Sequence, residues 1–94
     1  MNASLNGGKY AIRPNQIRAA RALLGWSREQ LSLSCNVPIR TLDRLEKGDG
    51  EPQQRTLVAV SQALETAGVE FIEENGGGPG VRLRTSNHAW STDV

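Results

Sequence analysis

Arg40 and Arg44 stand four positions apart in the stretch IRTLDRLEK, with Thr41 and Asp43 between them. Residues four apart share one face of a helix. A guanidinium is a rigid fork of N–H donors that matches a planar pair of acceptors, whether a carboxylate, a phosphate or the O6 and N7 edge of guanine. Ser27 and Arg28 stand where another helix should begin, and unpaired backbone N–H groups beside a cation favour an anion. Ile39 and Thr41 add methyl groups to the surface that the two arginines would present. This is recognition chemistry, not bond-breaking chemistry. His88 is the only histidine and Cys35 the only cysteine. The carboxylates form no constellation with a nucleophile or a base. No catalytic residue, metal site or cofactor is expected, and the chain is not read as an enzyme.

These residues need short, well-ended elements to hold them. Ser27 with Gln30 three residues later is a capping box, which predicts a helix starting near Arg28. Asn36 tolerates the left-handed conformation that ends it. Pro38 suits the first turn of the next helix, which Gly48 stops. Leu31, Cys35, Val37, Leu42 and Leu45 fall on the inward faces of this pair and its turn. So short a pair cannot bury its own core and must have neighbours. Pro14 opens one, with Ile17, Ala20, Arg21 and Leu24 at helical spacing up to Gly25. After the turn GDGEP, a fourth helix is predicted from about Gln53 to Ala67, with Leu57, Val60 and Leu64 inward and Gly68 as its left-handed stop.

Beyond Gly68 the period changes to alternation. VEFIE and VRLR flank NGGGPG, which reads as a hairpin over residues 69–84. Val69 and Phe71 would share a face with Val81 and Leu83, and Glu70 and Glu73 would lie near Arg82 and Arg84 on the other. A lone two-stranded hairpin is marginal, so this one must pack on the helices or on a second copy of itself. No helix and no Lys-Ser/Thr pair follows the glycine loop, which argues against a phosphate loop. Residues 1–12 are expected to form a flexible arm, residues 13–84 the domain, and residues 85–94 a disordered tail.

The 94 residues carry a net charge of only +1. The distribution is uneven: residues 1–48 hold eight cations against three anions, and residues 49–94 hold three cations against seven anions. The basic half coincides with the helix pair, as a face turned to nucleic acid would. No apolar stretch is long enough to span a bilayer, and the first residues lack a secretion signal, so no membrane association and a cytoplasmic location are expected. A lone cysteine cannot form an internal disulfide, and Cys35 is read as a small core residue.

From about Arg18 to Glu65 the chain resembles the Cro/phage-repressor type of helix-turn-helix regulators, the XRE family. The residues that carry the likeness are RALLGWS ending helix 1, SREQL opening helix 2, the turn around Asn36-Val37, and TLDRLEKG ending helix 3. The ending GVEFIEENGGGPGVRLR resembles the C-terminal hairpin of many short bacterial members. The resemblance implies a mainly α, lambda-repressor-like bundle of four helices with a C-terminal β-hairpin. It also implies transcription regulation by binding double-stranded DNA, often as a homodimer. The DNA-binding positions it implies are Ser27, Arg28, Ile39, Arg40, Thr41, Asp43 and Arg44; Arg28 and Lys9 of the arm are expected on phosphates. It further implies a structural ion pair between Arg21 and Glu46, which suits an arginine lying on the apolar stripe of its helix.

Some residues point elsewhere. Ile39 stands where the family usually places a polar reader, Leu33 is an outward aliphatic on helix 2, and Asp43 puts a negative charge between the two arginines. Trp26 to Gly48 nets only +1, although such a face gains most of its affinity by releasing counterions from phosphates. The second reading is therefore an antiactivator or antirepressor, in which Leu33, Ile39 and Arg40 bind another regulatory protein in place of DNA.

Overall fold

A computed structural model of the chain describes residues 12–84. The arm before Ile12, including Lys9, and the tail from 85 to 94, including His88, lie outside the described residues. The order of elements is α1 (Pro14–Leu24), α2 (Arg28–Cys35), α3 (Ile39–Lys47), α4 (Gln54–Thr66), β1 (Val69–Ile72) and β2 (Gly80–Leu83). The fold is mainly helical, with four helices and a two-stranded antiparallel hairpin among the described residues. It is the lambda-repressor-like arrangement.

Local chemistry sets the boundaries of the central pair. The Ser27 hydroxyl accepts from the Gln30 N–H at 3.1 Å, and the Gln30 side chain accepts from the Ser27 N–H at 2.7 Å. Asn36 ends α2 at φ 59°, with its N–H donating to the Ser32 carbonyl at 2.8 Å. The Ser32 hydroxyl then donates to the Val37 carbonyl at 2.6 Å, fastening the turn from the helix side. Pro38 differs slightly from expectation. It is the N-cap of α3, not a residue of its first turn, and it offers no side-chain cap. At the other end Gly48 (φ 77°) is left-handed, and the Asp49 N–H reaches back to the Arg44 carbonyl at 3.0 Å. That five-residue reach is the Schellman closure, and a Cβ at such a φ would be strained.

α4 stops differently. Its cap residue Ala67 stays right-handed, and Gly68 at φ 114° turns the chain into β1. Arg84, just past β2, covers this end: its N–H donates to the Gly68 carbonyl at 2.7 Å and its guanidinium to the Glu65 carbonyl at 3.0 Å. The strands pair Val69 with Leu83, Glu70 with Arg82 and Phe71 with Val81, which keeps Val69, Phe71, Val81 and Leu83 on one face as expected, while Glu73 lies beyond the end of β1.

Ile17, Ala20, Leu31, Leu42, Val60, Leu64 and Val69 form the buried centre, with Cys35, Val37 and Leu45 at its edge. Phe71 and Val81 pack against it, so the hairpin covers helices. Ile12, assigned above to the arm, belongs to this core. It precedes the N-cap Arg13, five residues before the fourth helical residue Ile17, which is the hydrophobic-staple spacing. Gln16, also buried, accepts from the Arg13 N–H at 2.8 Å and donates to the Gly80 carbonyl at 3.0 Å. One side chain thus joins the start of α1 to β2. Among the described residues, no helix is long and apolar enough to cross a membrane.

Candidate nucleic-acid interface

The surface of α2 and α3 is built on a buried carboxylate. Glu46, 2% exposed, lies on the inner side of α3. Arg21 of α1 meets both its oxygens, Nε to Oε2 at 2.7 Å and Nη2 to Oε1 at 2.9 Å. This fork-to-fork geometry is the strong form of the ion pair. It raises the Arg21 pKa above the ordinary guanidinium value despite the opposing effect of burial. Arg21 also donates to the Trp26 carbonyl at 3.1 Å, and Arg18 donates to the Glu46 backbone carbonyl, so α1 grips α3 at two levels.

Arg28 continues the network from the first turn of α2. Its Nε lies 3.4 Å from Glu46 Oε1, and its Nη1 donates to Asp43 Oδ1 at 3.0 Å. Lys47, one turn beyond Asp43, approaches the other oxygen Oδ2 at 3.2 Å. Three helices therefore share a chain of charges running Arg21, Glu46, Arg28, Asp43, Lys47. The sequence reading placed Arg28 and Asp43 at a nucleic-acid surface, and in the structure they face each other.

Arg40 and Arg44 differ. Both are exposed on α3, and among the described residues neither has an ion-pair or hydrogen-bond partner. The Arg44 guanidinium leans over Gly50, whose added Cβ would stand 3.4 Å from Nη2. It borders an open polar recess of about 320 Å³ that Thr41, Asp49 and Glu51 also line. Ile39 opens the helix at 39% exposure, Thr41 is half-buried, and Leu33 projects from α2 at 85% exposure. Ser27 is exposed at the start of α2, its hydroxyl engaged in the cap.

Sequence reasoning missed Lys47 as a partner of Asp43, although the i, i+4 spacing announces it. It missed Arg18, whose bond to a backbone carbonyl leaves no mark in the sequence. Cys35 is buried and its thiol pKa is raised by burial, as suits a core residue. Among the described residues no cluster of His, Cys, Asp and Glu could hold a metal ion.

Two short helices joined by a left-handed turn, braced by a first helix, with cations on the second that have no partner among the described residues, make this a helix-turn-helix domain. A family model described as Helix-turn-helix, of the Cro/C1 type, matches residues 17–71, more than half of the chain. The chain belongs to that family, and so to a class of DNA-binding regulators. No curated protein gives a match.

Proposed function

We propose that the domain regulates transcription by reading an operator with α3 in the major groove. Arg40 and Arg44 would pair with guanine edges, and Ile39 and Thr41 would meet thymine methyl groups. The N-terminus of α2 at Ser27 would hold a phosphate. The observation that carries this reading is the contrast among the cations. Arg21, Arg28 and Lys47 have anionic partners, whereas Arg40 and Arg44, on one exposed helix face, have none among the described residues. A second copy, joined through the hairpin, would supply the other half-site.

The exposure of Leu33 and Ile39 favours a second reading, in which the same face binds another regulatory protein. A salt titration of binding to random duplex DNA separates the two. The first reading expects affinity that falls steeply with salt and collapses in Arg40→Ala/Arg44→Ala. Absence of binding at low salt would refute it. In that case Leu33→Ser and Ile39→Ser should weaken binding to a protein partner.

A further inference from the structure

We propose that Arg28 is a positioning residue that keeps Arg40 available, and not itself a contact to DNA; this rests on the reading of α3 as the DNA-reading helix. Arg40 precedes Asp43 by three residues on α3. Positions three apart on a helix are neighbours, so an arginine and an aspartate at that spacing are within reach of each other. Here the pair does not form. Asp43 Oδ1 is taken by Arg28 Nη1 at 3.0 Å and Oδ2 by Lys47 Nζ at 3.2 Å. Both oxygens of the only carboxylate lying between Arg40 and Arg44 in sequence are occupied from other directions.

Arg28 is held at its root as well. Its Nε is closed off from solvent and lies 3.4 Å from Glu46 Oε1, in a carboxylate that Arg21 grips with two hydrogen bonds. Turning Arg28 Nη1 from Asp43 to a phosphate would give up that contact. Doing so would release Asp43 beside Arg40. The geometry thus gives Arg28 a share in the free state of Arg40, through a carboxylate that otherwise weakens the face.

The test is a double-mutant cycle on affinity for a fluorescein-labelled duplex of random sequence, read by anisotropy at low salt. Arg28→Gln weakens binding. Asp43→Asn recovers affinity in the Arg28→Gln background by more than it gains in the wild type, with a coupling of about 1.4- to 2.3-fold, the size of one helical ion pair. The coupling vanishes when Arg40→Ala is added to every corner of the cycle. A long-range charge effect would make Asp43→Asn equally favourable in both backgrounds, and that result overturns the proposal. So does a coupling that survives Arg40→Ala. Arg28→Gln leaves the Arg21–Glu46 pair in place; if it nevertheless unfolds, Lys47→Gln frees the other Asp43 oxygen from the solvent side and the same cycle applies. A wild type that binds no DNA refutes the reading of the helix itself, an outcome distinct from failure of the cycle.

Discussion

Replacing Glu46 with glutamine should be among the most damaging single changes in this domain, although the two side chains have nearly the same volume. Glu46 is 2% exposed and both its oxygens accept hydrogen bonds from Arg21. Glutamine turns one of those acceptors into an NH2 donor that faces a guanidinium, and it removes the negative charge from between two cations. Breaking a buried pair by removing one partner costs about 3–5 kcal/mol, because the other charge is left uncompensated. Arg21 keeps 18% of its side-chain surface and Arg28 keeps 40%. Water therefore solvates part of the stranded charge, which puts the expected loss near the lower bound, about 3 kcal/mol. For a domain of this size each kcal/mol lowers Tm by about 4–8 °C, so Glu46→Gln should melt about 12–24 °C below the wild type. Circular dichroism melts and urea titrations measure this directly. Arg21→Met/Glu46→Leu removes both charges and should lose much less than the sum of its single changes. A Glu46→Gln loss under about 1 kcal/mol, or a double variant that shows simple additivity, would refute the account of the network as a buried, mutually dependent pair.

The hairpin offers two further tests. Gln16→Ala removes the bond to the Gly80 carbonyl and the one to the Arg13 N–H, and should cost about 1–3 kcal/mol. Amide exchange should accelerate in β2 more than in α2, and equal acceleration in both would show that the clamp is not local. At Glu70, hydrogen bonding to Arg82 holds the carboxyl pKa below its ordinary value in the folded state. A depressed folded pKa stabilises the fold above the ordinary carboxylate range, and that contribution disappears as pH falls through the lowered value. The stability difference between wild type and Glu70→Gln should therefore shrink on acidification through that window. Because the pair is exposed and screened, the difference should also be smaller at high salt.

Elements defined by neighbours in sequence were the most legible. Ser27 and Gln30 mark the start of α2 because the capping box is a contact between residues three apart, and Asn36 and Gly48 mark ends because few residue types accept a left-handed φ. Alternation told which residues of the hairpin share a face, since a one-residue slip would turn Val69 and Phe71 away from the helices. Ile12 was missed, although its spacing to Ile17 carried a readable staple. The Arg28–Asp43 contact was not legible at all. It depends on the angle between α2 and α3, which no spacing along one helix encodes. Gln16 and Gly80 are 64 residues apart, and a buried amide on an amphipathic helix reads simply as polar. Arg40 and Arg44 were picked out by residue type and spacing, but their lack of partners among the described residues became visible only once the other cations had been placed.

The Gln16–Gly80 bond also bears on the order in which the chain organises itself. Contacts among α1 to α4 link elements that follow closely along the chain, so each closes a short loop at low entropic cost. Bringing β2 to the start of α1 closes almost the whole domain at once. Such a contact is entropically expensive until the helices already hold the ends together. The helices should therefore assemble first and the strands dock last. Changes on the strand side of Gln16 should then chiefly speed unfolding, whereas changes at the Arg21–Glu46 junction should slow folding.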